Sequence, residues 1–236
     1  MGAIDLLGFG PRGWGFQLLT ATGVTLSVSV AAFALGGVFG ALIASATLSR
    51  SLPLSWFGKA YTTVLRGVPD LLVIYLLYFG GSAALSALGR MFGAEGFIGV
   101  NAFATGALAV GIVSGAYQAE VFRGAYLAIP RGELDAARAV GMRRWTMLSR
   151  IIAPQTLRFA IPGLGNVWQL ALKESALISV TGLTELLRQA QVASGSTRQP
   201  FVFYMAAAAL YLILTTVSTK MFDMAEARAM RGVRRA

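Results

Sequence analysis

Asp70, Glu120, Lys173 and Glu174 stand inside or at the edges of long apolar runs in a chain of 236 residues. A charge at that depth costs on the order of 3 kcal/mol unless it is paired or hydrated, so each asks for a reason. One reason is mutual neutralisation: Arg66 and Asp70 are spaced i,i+4, and Lys173 could pair across helices with Glu120 or Asp70. A second is a gate near the inner face, where Arg66 and Glu120 fall. A third is a wet path, lined by Lys173, Glu174 and Ser175, in which carboxylates meet a cationic solute; plain interfacial placement is a fourth. Covalent and redox chemistry are disfavoured. The chain has no Cys and no His, which removes thiolate and imidazole ligands, so no metal site and no catalytic residue are assigned. Its single Gly-Lys pair, Gly58-Lys59, is followed by Ala60 and cannot form a phosphate-binding P-loop. No cofactor is therefore expected in this chain.

The elements that hold these charges are membrane spans. The chain is 56% hydrophobic and 13% charged, with a mean hydropathy of +0.67, too apolar for a soluble surface. Charge-free windows at 13–49, 71–89, 96–119 and 199–219 are each long enough for a helix to cross a bilayer. A fifth, at 159–172, continues past Lys173 and Glu174. These predict one all-helical transmembrane domain, 1–236, with five spans at 16–48, 61–80, 100–122, 157–183 and 200–220 and a cytoplasmic loop at 123–156. The first run is read as a retained span, not a signal peptide.

Basic residues accumulate on the cytoplasmic side. With the N-terminus outside, fifteen of the twenty Lys and Arg fall inside, among them Arg234 and Arg235, and four fall outside: Arg12, Arg90, Arg188 and Arg198. The N-terminus is accordingly expected outside and the C-terminus in the cytoplasm. This imbalance beside anionic lipid also accounts for the net charge of +10 without nucleic acid. Trp14, Phe16, Trp56 and Tyr204 read as interfacial anchors. Small residues recur every four positions, as Ala32, Gly36, Gly40 and Ala44 in the first span and Ala107, Gly111, Gly115 and Ala119 in the third. Such stripes admit close helix packing, within the subunit or against a partner. Pro69 and Pro162 could weaken their helices as hinges, or serve as first-turn prolines.

The segment 132–166 is basic and helix-favouring. Glu133 and Asp135 suit the first turn of a short helix, and Gly141 suits its C-terminal cap. Trp145, Leu148 and Ile152 then form an apolar stripe, and Pro154 begins the return to the membrane. The short helix is expected to offer Ala136, Ala137 and Ala139 to an approaching partner, unless the segment is simply an amphipathic interfacial loop.

This stretch resembles the EAA loop of ABC importer permeases, in its polar amino-acid form. The matching elements are Gly132, Asp135-Ala136-Ala137, Gly141, and Ile151-Ile152-Ala153-Pro154, with Asp135 in place of the family's Glu and Ala153 in place of its Leu. Arg66-Gly67-Val68-Pro69-Asp70-Leu71 is similar to the element that opens the second span, most nearly in the histidine, lysine, arginine and ornithine permeases and their opine relatives. Gly115-Ala116-Tyr117 with Glu120, Phe122-Arg123-Gly124 and Pro130 resembles the end of the third span, and Lys173-Glu174-Ser175-Ala176-Leu177 an element of the fourth. The resemblance implies a type I (MetI-like) importer permease fold whose EAA helix docks on a cytoplasmic ATPase. It implies two copies of that ATPase, which bind ATP and Mg, together with a periplasmic solute-binding protein, and a place in a bacterial inner membrane with the N-terminus periplasmic and the C-terminus cytoplasmic. A homologous second permease is expected as the partner, with a homodimer the less favoured arrangement. The solute class would be basic amino acids or opines. An ion-coupled carrier or channel, and a scaffold that transports nothing, are the competing functions.

Overall fold

The computed structural model describes residues 3–11, 13–92 and 99–231. Arg12, Arg234, Arg235 and the start of the third apolar window at Gly96 lie outside the described residues. All the regular structure described is helical. After a short α1 (Ala3–Leu7) comes α2 (Gly15–Thr47), then α3 (Leu52–Gly67). A continuous run follows, made of α4 (Asp70–Tyr75), a π turn (Leu76–Gly80) and α5 (Gly81–Met91). Next are α6 (Ala102–Leu127) and α7 (Arg131–Ala139). A second composite run joins α8 (Arg144–Met147), a π turn (Leu148–Ile152), α9 (Ala153–Glu174) and a 3-10 stretch (Ser175–Thr181). The chain closes with α10 (Leu186–Thr197) and α11 (Pro200–Ala229).

Among the described residues, four runs are long and apolar enough to cross a membrane: α2, Asp70–Met91, α6 and α11. The second expected span, 61–80, is displaced. Val68 is extended (φ −94°, ψ 138°) and Pro69 caps the next helix from outside it, so 61–67 belongs to the separate amphipathic α3. This follows from proline, which keeps its predecessor out of the helical region. The fourth expected span, 157–183, falls on α9 and the 3-10 stretch. It carries Arg158, Lys173 and Glu174 and is not among the four apolar runs. Pro162 lies inside α9, so its first-turn reading is not met. Pro154 stands in the first turn of α9, two residues past the end of the π turn, whose wider winding accommodates a ring that would clash with an α-helical carbonyl. α10 answers to no expected element.

The core is the contact of α2 with α6. Gly36 faces Gln118 and Ser114, and a Cβ there would stand 2.7 Å from the Gln118 amide nitrogen. At Gly40 a Cβ would meet the backbone of Ala119 at 3.1 Å, at Gly115 the Cβ of Phe39 at 2.8 Å, and at Gly111 the carbonyl of Ala32 at 3.1 Å. The missing side chains let the two backbones approach and let dispersion contacts take the place of a hydrophobic drive that lipid does not supply. Gln118, 1% exposed, spans the contact by donating to the Phe33 carbonyl and the Ser114 hydroxyl, both at 3.0 Å. In α6, 67% of the apolar window is buried, against 11% in α11. α6 is the central helix and α11 a peripheral one. Phe16 and Trp56 are 71% and 74% exposed, but Trp14 packs edge-on to Phe203 at 6.2 Å, inside a cluster with Leu18 and Leu186.

A second polar knot ties the other end of the bundle. Gly182 (φ +87°) ends the 3-10 stretch in the left-handed region, and Glu185, fully buried, caps α10. Its carboxylate accepts from the amides of Leu187 (2.8 Å) and Arg188 (2.7 Å) and from the Tyr211 hydroxyl (3.1 Å). Thr25 of α2 accepts from the Leu186 amide at 3.0 Å. Glu185 and Thr25 together thus join α2, α10 and α11. Glu185→Ala leaves two helix-end amides and a phenol unpaired and is expected to cost roughly 2–4 kcal/mol. Thermal unfolding of the purified protein checks this, and a midpoint unchanged from wild type would show that water takes over the cap.

Candidate functional site

The break at Val68–Pro69 places Arg66 on one helix and Asp70 on the next, and the i,i+4 ion pair between them is not formed. The Arg66 guanidinium instead lies over the Tyr117 ring of α6, 5.4 Å from its centroid, as a cation does on an aromatic face. Asp70 opens α4 and acts on Glu174 at the end of α9. Glu174 is 4% exposed, and neither of its carboxylate oxygens has a hydrogen-bond partner among the described residues. Arg66, Asp70 and Glu174 all lie close enough to bear on Tyr117. The structure therefore gathers Arg66, Asp70, Tyr117 and Glu174 from four helices around one break. A buried carboxylate whose facing charge is another carboxylate is unfavourable. The arrangement favours a cation entering between the two.

Lys173 does not join them. It is exposed and makes no ion pair with Asp70 or Glu120. Ser175 is buried and donates to the Leu172 carbonyl at 2.7 Å, so its hydroxyl proton is used within its own turn. Glu120 pairs one turn along α6 with Arg123, at 2.7 and 3.0 Å. Both line a cleft of about 680 Å³ with Lys59, Thr62, Arg66 and Tyr117. The cleft is basic, and Glu120 is its one carboxylate.

The short helix α7 ends as its glycine dictates. Gly141 takes φ +71°, its amide bonds to the Arg138 carbonyl, and the Met142 amide bonds to the Ala137 carbonyl, each at 3.0 Å. This pair of bonds is the Schellman cap. Leu134 and Ala137 turn inward, 8% and 4% exposed, whereas Ala136 and Ala139 face out. The expectation that all three alanines are offered to a partner is corrected for Ala137, which lies about 100° round the helix from Ala136 and packs inward on the side of Leu134. Asp135 is on the outer side and pairs with Arg138 at 2.6 Å. Gly132 has open space around it. Gln155 donates to Glu133 and ties the start of α9, just past Pro154, to the first turn of α7. Val140 and Trp145 are 77% and 76% exposed.

Gln118 and Glu185 escaped the reading of the sequence. Gln118 could have been found as the polar residue three positions beyond Gly115 on the packing stripe. Glu185 follows a Gly-Leu-Thr turn, but Glu is not a usual helix cap.

A bundle of lipid-facing helices with charges gathered at a break, and a short polar helix hung beneath its central member, defines an integral membrane protein built for transport. The chain belongs to the family described as binding-protein-dependent transport system inner membrane component, which it matches over residues 36–231. It is 60% identical over 235 residues to the octopine transport system permease protein OccQ of Rhizobium meliloti, covering 100% of this chain and 99% of that one. To the histidine/lysine/arginine/ornithine transport system permease protein HisQ of Escherichia coli it is 36% identical over 225 residues, with coverage of 94% and 98%. Among solved structures it superposes on a chain of the crystal structure of an amino acid ABC transporter with histidines, with a TM-score of 0.76 and 31% identity over 91% of this chain and 95% of that one. The importer-permease fold expected from the sequence is thus the fold observed.

Proposed function

We propose that this chain is one of two membrane subunits of an ATP-driven importer that carries basic amino acids or opines inward. The observation that carries the solute class is the buried carboxylate of Glu174 set against that of Asp70, with no basic side chain paired to either among the described residues, a station for a guanidinium or ammonium group. Relatives named for octopine and for histidine, lysine, arginine and ornithine support it. Arg66, Glu120 and Arg123 form the inner gate, where Glu120 is held by Arg123 until the path opens. With α9 as the fourth of five crossings and the basic residues gathered inside, the N-terminus lies in the periplasm and α7 in the cytoplasm. There the outer face of α7, with Asp135, Ala136 and Ala139, docks on the ATPase. ATP and Mg are bound by two copies of that partner, a periplasmic binding protein delivers the solute, and a homologous second permease completes the path.

The complex that co-purifies with this chain from its own membrane, reconstituted in proteoliposomes with its binding protein, is expected to take up arginine or octopine only with ATP at the ATPase side. Uptake that persists without ATP on a proton gradient would transfer the function to an ion-coupled carrier. An ATPase that binds with no solute flux at all would leave a scaffold.

A further inference from the structure

We propose that the groove between α2, α9 and α11 holds a phospholipid with a primary-amine head group. The groove encloses about 520 Å³ and is walled by Leu26, Val30, Phe33, Trp168, Ile213 and Val217. Ser218 also lines it, but its hydroxyl donates to the Leu214 carbonyl of its own helix at 2.7 Å. The walls offer hydrocarbon and one unused donor. Trp168 is 7% exposed, and its indole N–H has no hydrogen-bond partner, a state that costs about 1–3 kcal/mol until an acceptor arrives. The outer rim is open to the bilayer, with Val30, Ile213 and Met221 each more than half exposed. Leu26 to Ala34 spans about 12 Å of α2 and Ile213 to Phe222 about 13 Å of α11, close to the roughly 15 Å hydrocarbon depth of one leaflet. That is the shape of a slot for an acyl chain.

What lies at the end of the slot selects the head group. Phe222 belongs both to the groove and to a second cavity, of about 270 Å³, lined by Asn166, Gln169, Thr219, Asp223 and Glu226. Phe33 packs edge-on against both Phe222 and Trp168, at 6.2 and 5.5 Å, so one aromatic cluster links the wall that carries the free indole to the junction. An ester oxygen sits at that level in a phospholipid, between chain and head group. Neither Asp223 nor Glu226 forms an ion pair among the described residues. Gln169 gives its amide nitrogen to Thr219 at 2.9 Å and keeps a buried carbonyl oxygen without a donor. Two carboxylates and a free acceptor complement an ammonium with its three N–H donors. They repel an anionic head group and give a quaternary ammonium nothing to donate. The site does not depend on the solute path; only its assignment to the cytoplasmic leaflet rests on the topology proposed above.

The test uses the intact transporter complex, stripped of lipid in detergent, mixed with equal amounts of phosphatidylethanolamine, phosphatidylglycerol and phosphatidylcholine, and weighed by native mass spectrometry. Phosphatidylethanolamine is expected to be retained over each of the others by about fivefold, roughly 1 kcal/mol. Ala34→Phe, which fills the slot, is expected to abolish retention. Asp223→Asn combined with Glu226→Gln, on exposed and half-buried positions that leave the fold intact, is expected to keep a lipid and lose the preference. Equal retention of the three lipids by the wild type, or a preference untouched by the double substitution, overturns the proposal. So does a photo-crosslinker at Val30 that captures the second permease instead of phospholipid.

Discussion

Glu174→Gln is expected to raise the KM for uptake of a guanidinium-bearing solute about ten- to a hundredfold, a loss of roughly 1.4–2.8 kcal/mol, without making the protein less stable. The two halves of that expectation have one cause. In the empty protein the Glu174 carboxylate is 4% exposed, has no basic partner among the described residues and faces Asp70. Desolvation and like-charge repulsion both act against it. Glutamine keeps the shape and removes the charge, so the resting protein gains or holds its thermal midpoint. A cation lodged between the two carboxylates uses charge-assisted hydrogen bonds that an amide gives only in part. Asp70→Asn is expected to act in the same direction, and Lys173→Met, on the exposed neighbour, to change uptake far less. Uptake kinetics in proteoliposomes and thermal unfolding, measured on the same preparations, check both halves. A variant that unfolds earlier while its KM stays at the wild-type value would make Glu174 a structural anchor and sink the solute station.

Ala139→Arg is expected to release the ATPase from the membrane subunits, lowering both co-purified ATPase and ATP-driven uptake by at least about tenfold, with the permease still inserted. Ala136 and Ala139 lie three apart on the outer face of α7, where a small side chain leaves room for a partner. Ala137 is the wrong place for this test. It packs inward beside Leu134, and a long side chain there would disrupt the loop instead of reporting on docking. Gly141→Ala is expected to give a milder form of the same defect, because a Cβ at φ +71° costs about 1–2 kcal/mol and loosens the helix end. Co-purification and uptake read together decide the matter. An Ala139→Arg protein that retains its ATPase and full uptake would remove α7 from coupling.

Much of this was legible in the chain because the bilayer admits few solutions. Apolar runs of bilayer length had to be helices, since no other open structure satisfies its backbone in hydrocarbon. The four-residue period of glycine and alanine marked the contact of α2 with α6. Gly141 announced its own cap. The rest was hidden for particular reasons. The α3–α4 break falls at Val68–Pro69, between Arg66 and Asp70; taking that proline as a hinge or first-turn residue of one helix carried 61–67 into the span. α10 has too few apolar residues to signal a period. The site was half visible: the charges were evident, but their grouping was not. Spacing suggested Arg66 with Asp70, and Lys173 was open to Glu120 or Asp70 across helices, whereas the helix break sends Arg66 to Tyr117, and the neighbouring positions 173 and 174 point to different surroundings. Sequence distance ranks partners along one helix and says little about pairs that tertiary packing assembles.

The glycine contact between α2 and α6 also has a mechanical meaning. Two long helices clasped backbone to backbone behave as one stiff beam. α7 hangs from the end of that beam through the tight turn at Ile129 and Pro130, so a load applied at α7 is delivered to it with little slack. Compliance has to lie elsewhere, in the extended residue at Val68 and in the π turns at 76–80 and 148–152, where winding is loosest. Asp70 and Glu174 sit on the segments carried by those joints. If α7 is the docking helix proposed above, a stroke from below is expected to bend the protein at the joints and change the distance between the two carboxylates, while the beam stays straight.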